Sequence, residues 1–479
     1  MDTATPSATA ASQSLIEQII QRASGAAPRT GNHIELLLDS TENFPEWEAA
    51  LSQAQTSICI EMYIIAGDAF GRRIRQILLD RLAAGVAVVL IYDWLGSLNA
   101  RLKGFFQPLV NAGAQVYAYN PPNWLSGLGI LSRNHRKSII IDEHTAFVSG
   151  LCMSASWCGQ PEKGIAPWRD TGLKLQGPIV QDILAAFLDT LHAVGGHTPA
   201  QIYDYEPGES YLAGNAAGRV LATTPANINT MRLDLNLIGL ATQNLWITDA
   251  YFMPSKVYVQ ALINAAQAGV DVRILVPRTS DIKWIGTVSR TQYRQLLDAG
   301  VRVFEWNGPM IHAKSALIDG EWARVGSTNL NFSSWYANRE LDISIEDPAT
   351  VYLLERTFLR DLECATEVVL NEQSGTKLQH ERTRPAQNNQ TLPRTQFKGV
   401  MRQVMRLSRA FDNTISHTRQ VGESEAWAYV SIGAALLAGA ALLWFVPQIL
   451  LWPLLFLLIV GGINTIIQAL LQIRRLHKK

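Results

Sequence analysis

The sequence has no charge excess: 41 basic residues balance 41 acidic ones over 479 positions. A surface that follows a nucleic-acid backbone carries surplus Lys and Arg, so a nucleic-acid phosphodiesterase is disfavoured. Cysteine is scarce. Cys59, Cys152, Cys158 and Cys364 show neither paired spacing nor a metal-ligand pattern, which argues against a disulfide framework and fits a reduced, cytosolic setting. No cluster of metal ligands is evident, and the chemistry reached below requires no metal and no cofactor. The opening stretch MDTATPSATAASQ lacks the basic patch and apolar core of a secretory leader. Residues 1–29 read as a tail, with a short amphipathic helix over 14–23.

What is present, twice, is H-x-K-x-x-x-x-D. The copies are HRKSIIID, with His135, Lys137 and Asp142, and HAKSALID, with His312, Lys314 and Asp319. Their surroundings repeat too. SICIEMYII, AAGVAVVLIYD and NAGAQVYAYN precede the first copy; NLWITDAYF, AAQAGVDVRILVP and DAGVRVFEWN precede the second. Each series reads strand, helix, strand, helix, short strand, with Gly85, Gly113, Gly269 and Gly300 where helices hand over to strands. Alternation of this kind predicts an α/β sandwich. The chain is expected to be a duplication, with halves at 30–200 and 215–370 related by a pseudo-twofold axis.

Residues two apart on a strand share a face. His135 and Lys137 therefore point one way, as do His312 and Lys314. Asp142 and Asp319 have the opposite parity at a strand end. They complete the motif and are counted with its catalytic set, but turn-fixing suits them better than substrate contact. Two histidines, each escorted by a lysine, suit phosphoryl transfer. One imidazole attacks phosphorus; the other protonates the leaving alkoxide and then deprotonates the incoming hydroxyl, while the lysines neutralise non-bridging oxygens. Ser327 and Asn329 in GSTN are candidate phosphate donors. Asp170 in PWRDTG and Glu340 in NREL are candidate acceptors holding the imidazole tautomers. Tyr63, Tyr251 and Phe252 read as strand packing near the cleft. The other seven of the nine histidines read as structural.

Both motifs resemble those of the phospholipase D superfamily, and the stretch 30–370 resembles its bacterial cardiolipin synthase branch. NHRKSIIIDEHTAFVSG, PWRDTGLKLQGP, HAKSALIDGEWARVGSTNLN and NRELDISI carry the resemblance. It implies a phosphatidyl transfer from one phosphatidylglycerol to the hydroxyl of another. His135 would be the nucleophile and His312 the general acid/base. Lys137, Lys314, Ser327 and Asn329 would bind phosphate, and Asp170 and Glu340 would orient the histidines. The chain departs from the family where it reads Ser149-Gly150-Leu151-Cys152. Cys152 replaces the amide that would match Asn329, and Ser149 is the expected compensating phosphate contact. Rival readings are a hydrolase, in which water resolves the intermediate, and a non-catalytic membrane scaffold, for which Cys152 is the only hint.

Residues 371–396 are polar and rich in Pro, Gln and Asn, a linker. Over 397–424, Phe397, Val400, Met401, Val404, Leu407 and Phe411 recur at helical spacing beside Lys398, Arg402 and Arg409, as in a helix lying on an anionic bilayer. Residues 426–473 contain no charged side chain over 48 positions, room for two spans with a turn at Pro447-Gln448. Basic residues on both flanks predict a hairpin with both ends cytoplasmic. The expected partners are therefore phospholipids and a bilayer, not nucleic acid. The expected setting is a bacterial inner membrane with the catalytic halves on its cytoplasmic face; the sequence leaves the oligomeric state open.

Overall fold

The computed structural model describes residues 8–122, 132–202, 211–370 and 378–380. Its strands are β1 (Arg29–Leu38), β2 (Ser57–Met62), β3 (Ala87–Asp93), β4 (Gln115–Tyr119), β5 (Lys137–Ile141), β6 (Thr145–Ser149), β7 (Thr171–Gln176), β8 (Ala216–Thr223), β9 (Asn244–Thr248), β10 (Asp271–Pro277), β11 (Arg302–Trp306), β12 (Ser315–Ile318), β13 (Trp322–Gly326), β14 (Glu340–Ile345), β15 (Ala365–Leu370) and β16 (Leu378–His380). The first half runs β4-β3-β2-β5-β6-β7-β1. The second runs β11-β10-β9-β12-β13-β14-β8, the same order. The two meet where β1 and β8 pair antiparallel, and β15 and β16 extend the far edge of the second half.

Local chemistry explains the repeated pieces. Helices cross over between the parallel strands β2, β3 and β4, and again between β9, β10 and β11. The helices Ala69–Ala83 and Lys256–Gln267 both stop ahead of a glycine in left-handed backbone, Gly85 at φ +89° and Gly269 at φ +95°. An L side chain adopts that conformation at a cost, so glycine ends the helix there. The β5–β6 and β12–β13 hairpins turn through Asp142-Glu143 (φ 51° and 58°) and Asp319-Gly320 (φ 53° and 66°), the positive pair that a tight hairpin needs.

One core belongs to both halves. The helix Ile179–Ala193 buries Ile179, Val180, Ile183, Leu184, Phe187 and Leu191, and the helix Pro348–Glu363 buries Val351, Leu354 and Phe358. Both pack into a single cluster with strand residues from each half, including Val148, Leu173, Val325 and Ile343. Truncating Phe187 there would cost about 3–5 kcal/mol in lost burial and cavity. Separate outer clusters lie under the helices of the first half and of the second.

Two expectations need correction. The N-terminal segment is a helix over Ala8–Ser24, longer than 14–23, and it is no loose tail. Ile20 and Ala23 pack in the second half's outer cluster, and Glu17 takes two 2.7 Å hydrogen bonds from the buried Arg219 of β8. Within the expected linker, Leu378–His380 pairs with β15 as an edge strand. The rest of 371–396, the amphipathic segment 397–424 and the apolar stretch 426–473 lie outside the described residues. Among the described residues no helix is long and apolar enough to cross a membrane.

Candidate active site

The site is assembled crosswise at the seam between halves. His135, just ahead of β5, donates its main-chain N–H to Arg339 O at 2.9 Å, and His312, just ahead of β12, donates to Arg169 O at 2.7 Å. Each histidine segment thus leans on the segment that leads into the other half's β14 or β7. That contact brings the acids in. His135 Nδ1 lies 2.8 Å from Glu340 Oε2, and His312 Nδ1 lies 2.8 Å from Asp170 Oδ2. A carboxylate at Nδ1 fixes the proton there and leaves Nε2 to face the reaction. Both pairs are buried, the histidines 8% and 4% exposed and the acids 0%.

The lysines sit beside their histidines, as parity implies. Lys137 Nζ donates to His135 O at 2.6 Å. Lys314 Nζ donates to His312 O and lies 2.9 and 3.0 Å from His312 Nδ1 and Nε2. Aromatic rings wall the site. Tyr63 stands edge-on to His135 at 5.0 Å with Lys137 over its face, and Tyr251 stands edge-on to His312 at 5.7 Å with Lys314 over its face. Trp157 and Trp168 flank His312 at 5.3 and 6.0 Å.

Burial sets the electrostatics. It pushes the His312 imidazolium down to about 3, helped by Lys314 and opposed by Asp170. His135 is lowered by burial and Lys137, opposed by Glu340. The His312 ring is therefore neutral near pH 7, and burial biases His135 the same way. Burial would raise the two carboxyls, but the His312 ring, Lys314 and Trp157 hold Asp170 below its usual value, and the His135 ring, Lys137 and Ser327 do so for Glu340. Lys314 is brought down to about 8 by burial. The site thus sets two lysine ammonium groups beside two imidazoles whose Nδ1 atoms are engaged by carboxylates.

Several sequence assignments change. Asp142 accepts hydrogen bonds from the N–H groups of Gln55, Thr56 and Ser57, and Asp319 from those of Thr242, Gln243 and Asn244, all at 2.7–3.1 Å. Each sits at the far end of its motif strand, about 20 Å from its histidine at ~3.3 Å per residue. They brace a turn and leave the catalytic set. Ser327 is spent on the orienting acid, donating to Glu340 Oε2 at 2.6 Å and accepting from Leu341 N at 2.9 Å. Ser149 Oγ is committed to its own loop, accepting from Leu151 N at 3.2 Å, so it does not stand in for the missing amide. Asn329 keeps its candidacy as an amide donor: it is 3% exposed, and among the described residues no contact commits its Nδ2, whereas its buried Oδ1 is an acceptor and plays no part in holding an anion.

Sequence reasoning missed the supports. Trp157 Nε1 donates to Asp170 Oδ2 at 3.0 Å, and Asn338 Nδ2 to Glu340 Oε1 at 3.2 Å. Asp249, brought up to about 6 by burial, accepts from Leu330 N at 2.6 Å and Tyr251 N at 2.8 Å, tying the Asn329 loop to the end of β9. Its place after NLWIT was a readable signal; Trp157 had none.

A family model described as the cardiolipin synthase, phospholipase D-like domain matches residues 47–157 and 235–362. Cardiolipin synthase 1 of Bacillus cereus is 31% identical over 369 residues, covering 74% of this chain and 71% of that protein. Cardiolipin synthase A of Pseudomonas fluorescens is 32% identical over 350 residues, 72% of each. Among solved structures, a phosphatidylserine synthase of Haemophilus influenzae superimposes with a TM-score of 0.57 over 72% of this chain and 90% of that one, at 16% identity. That last likeness is one of fold.

Proposed function

This chain belongs to the cardiolipin synthase branch of the phospholipase D superfamily and is a phosphatidyltransferase; from that premise we propose that it joins two phosphatidylglycerol molecules into cardiolipin and releases glycerol. The observation that carries the reading is the crosswise pair of histidine–carboxylate couples, which leaves His135 Nε2 unengaged while His312 Nε2 lies 3.0 Å from Lys314 Nζ.

His135 Nε2 attacks the donor's phosphorus, forming an N–P bond as the glycerol P–O bond breaks. Lys137, Lys314 and Asn329 hold the non-bridging oxygens. His312 delivers the proton to the departing glycerol oxygen. That proton is taken from solvent as the phosphodiester binds, because the anion offsets the two lysines and raises the ring's affinity for a proton; the one recovered from the acceptor returns to solvent when product leaves. The phosphatidyl group now rests on His135. The acceptor's terminal hydroxyl gives its proton to His312 and attacks phosphorus, and His135 leaves. Atoms and charge balance, and the enzyme is restored.

The apolar sequence 426–473, preceded by the basic amphipathic segment 397–424, would hold the catalytic halves against the cytoplasmic face of a bacterial membrane, where both lipids reside. The test is direct. Purified full-length protein in detergent is incubated with phosphatidylglycerol and the lipids are resolved by mass spectrometry. Cardiolipin and glycerol are expected; phosphatidic acid alone would make it a hydrolase, and inert lipids would make it a scaffold.

A further inference from the structure

We infer that Arg136, from inside the first motif, is a positioning residue for His135, acting by clamping the main chain of Glu340 from behind the sheet. The inference rests on His135 being one of the two reacting imidazoles.

Arg136 has the opposite parity to His135 and Lys137, so it turns away from the site, and it is fully buried. Its guanidinium ties three elements together. Nε donates to Glu340 O at 3.1 Å and Nη2 to Thr223 O at 3.2 Å; Nη1 donates to Ala186 O at 2.6 Å and Thr190 Oγ1 at 3.0 Å. Glu340 and Thr223 face each other at the end of the β14–β8 ladder, in the second half, while Ala186 and Thr190 lie on a helix of the first. The carbonyls at that ladder end converge on one cation. The residue it grips is the residue whose carboxylate holds His135 Nδ1. Five donors on a planar fork fix a backbone in a way a lysine cannot.

The second motif shows what is special about this. Ser138 pairs with Glu61 and Ser315 pairs with Thr248, so the two halves can be compared position by position. Arg136 becomes Ala313, and Glu61, the buried carboxylate 4.0 Å from Arg136, becomes Thr248. The Arg136–Glu61 couple is absent as a couple. Its place behind His312 holds a small cavity lined in part by Ala313, Thr248, Ser315 and Thr357. There the other orienting acid is clamped by its own neighbour: Arg169 donates to Asp170 O and is balanced by Asp361, at 2.9 Å, and Asp39. Each orienting acid thus has its carbonyl held by one buried guanidinium, supplied from unrelated positions. The direct partners of metal-bound histidines are worth about 10–100-fold in activity, and a clamp on such a partner is expected to act within that range.

Three full-length variants in detergent test this: Arg136→Lys, Arg136→Ala, and the double variant Glu61→Thr/Arg136→Ala, which copies the second half and leaves no lone buried charge. Phosphatidylglycerol turnover should fall about 10–100-fold in kcat for the double variant, with KM within about twofold, and Arg136→Lys should recover part of the loss. With histidine labelled in 15N, the His135 ring signals should move from one tautomer toward a mixture while those of His312 stay unchanged; His135→Asn and His312→Asn assign the signals. A folded double variant with unchanged kcat and an unmoved His135 spectrum would overturn the inference. The spectrum reads the clamp even if the wild-type protein forms no cardiolipin, so failure of the proposed reaction and failure of the clamp are separable.

Discussion

The two halves agree in the residues nearest the paired histidines and disagree in what holds those residues in place. Each offers a histidine, a lysine, an aromatic ring and an acid for the other half's histidine. Behind that layer the solutions diverge. Glu340 is steadied by Ser327 and Asn338, Asp170 by the indole of Trp157. Gly150 occupies the position equivalent to Ser327, and a Cβ there would come within 2.1 Å of Asp170 Oδ1, so no serine fits. Cys152 holds in the first half the position that Asn329 holds in the second, a thiol in place of an amide. Reacting atoms tolerate little change in what surrounds a phosphorus, whereas a carboxylate can be held still by any well-placed donor.

That comparison can be broken most decisively at the acids. Glu340→Gln and Asp170→Asn should each lower kcat by about 10²–10⁴-fold, because an amide neither fixes the Nδ1–H tautomer nor balances an imidazolium. Unequal losses, read from lipid turnover, would show which histidine must carry charge. Next comes the amide. Asn329→Cys, which makes both halves alike, should cost about 10²-fold through loss of a phosphate donor. Cys152→Asn, making them alike the other way, should change turnover by less than about tenfold; a gain matching the Asn329 loss would mean the thiol side also binds phosphate.

The smallest effects concern stability. Asp142→Ala and Asp319→Ala should each cost about 1–3 kcal/mol by orphaning turn N–H groups, with turnover per folded molecule unchanged. Their carboxyls lie below the ordinary value because those N–H bonds outweigh burial. The stabilisation is therefore present above about pH 3.8 and lost as pH falls through the lower folded value. His312 acts over a higher window. Its folded value of about 3 lies below the ordinary 6.5, so stability is full above 6.5 and declines between 6.5 and 3 as only the unfolded chain takes a proton. His312→Asn should flatten that part of the curve of Tm against pH.

Much of this was written locally in the chain. Strand parity put His135 with Lys137, helix ends announced themselves at Ala-Gly, and Asp319-Gly320 marked its hairpin. What stayed hidden depends on distant pairing. Asp170 and Glu340 were visible as acceptors, but their crossing to the opposite half follows from β1 meeting β8. Ser327 and Ser149 carried the right hydroxyl for phosphate, yet nothing in their spacing shows that Glu340 and Leu151 N already occupy them. The N-terminal helix looked like a tail because the partner of Glu17 is Arg219, some two hundred residues on.

The central claim is that two imidazoles from separate halves divide one reaction at a single phosphorus. Mass spectrometry of protease fragments after brief exposure to phosphatidylglycerol tests it most directly. A phosphatidyl adduct should sit on the fragment carrying His135, and His135→Asn should show neither adduct nor cardiolipin. An adduct on the fragment carrying His312, or cardiolipin formed by His135→Asn, would contradict it.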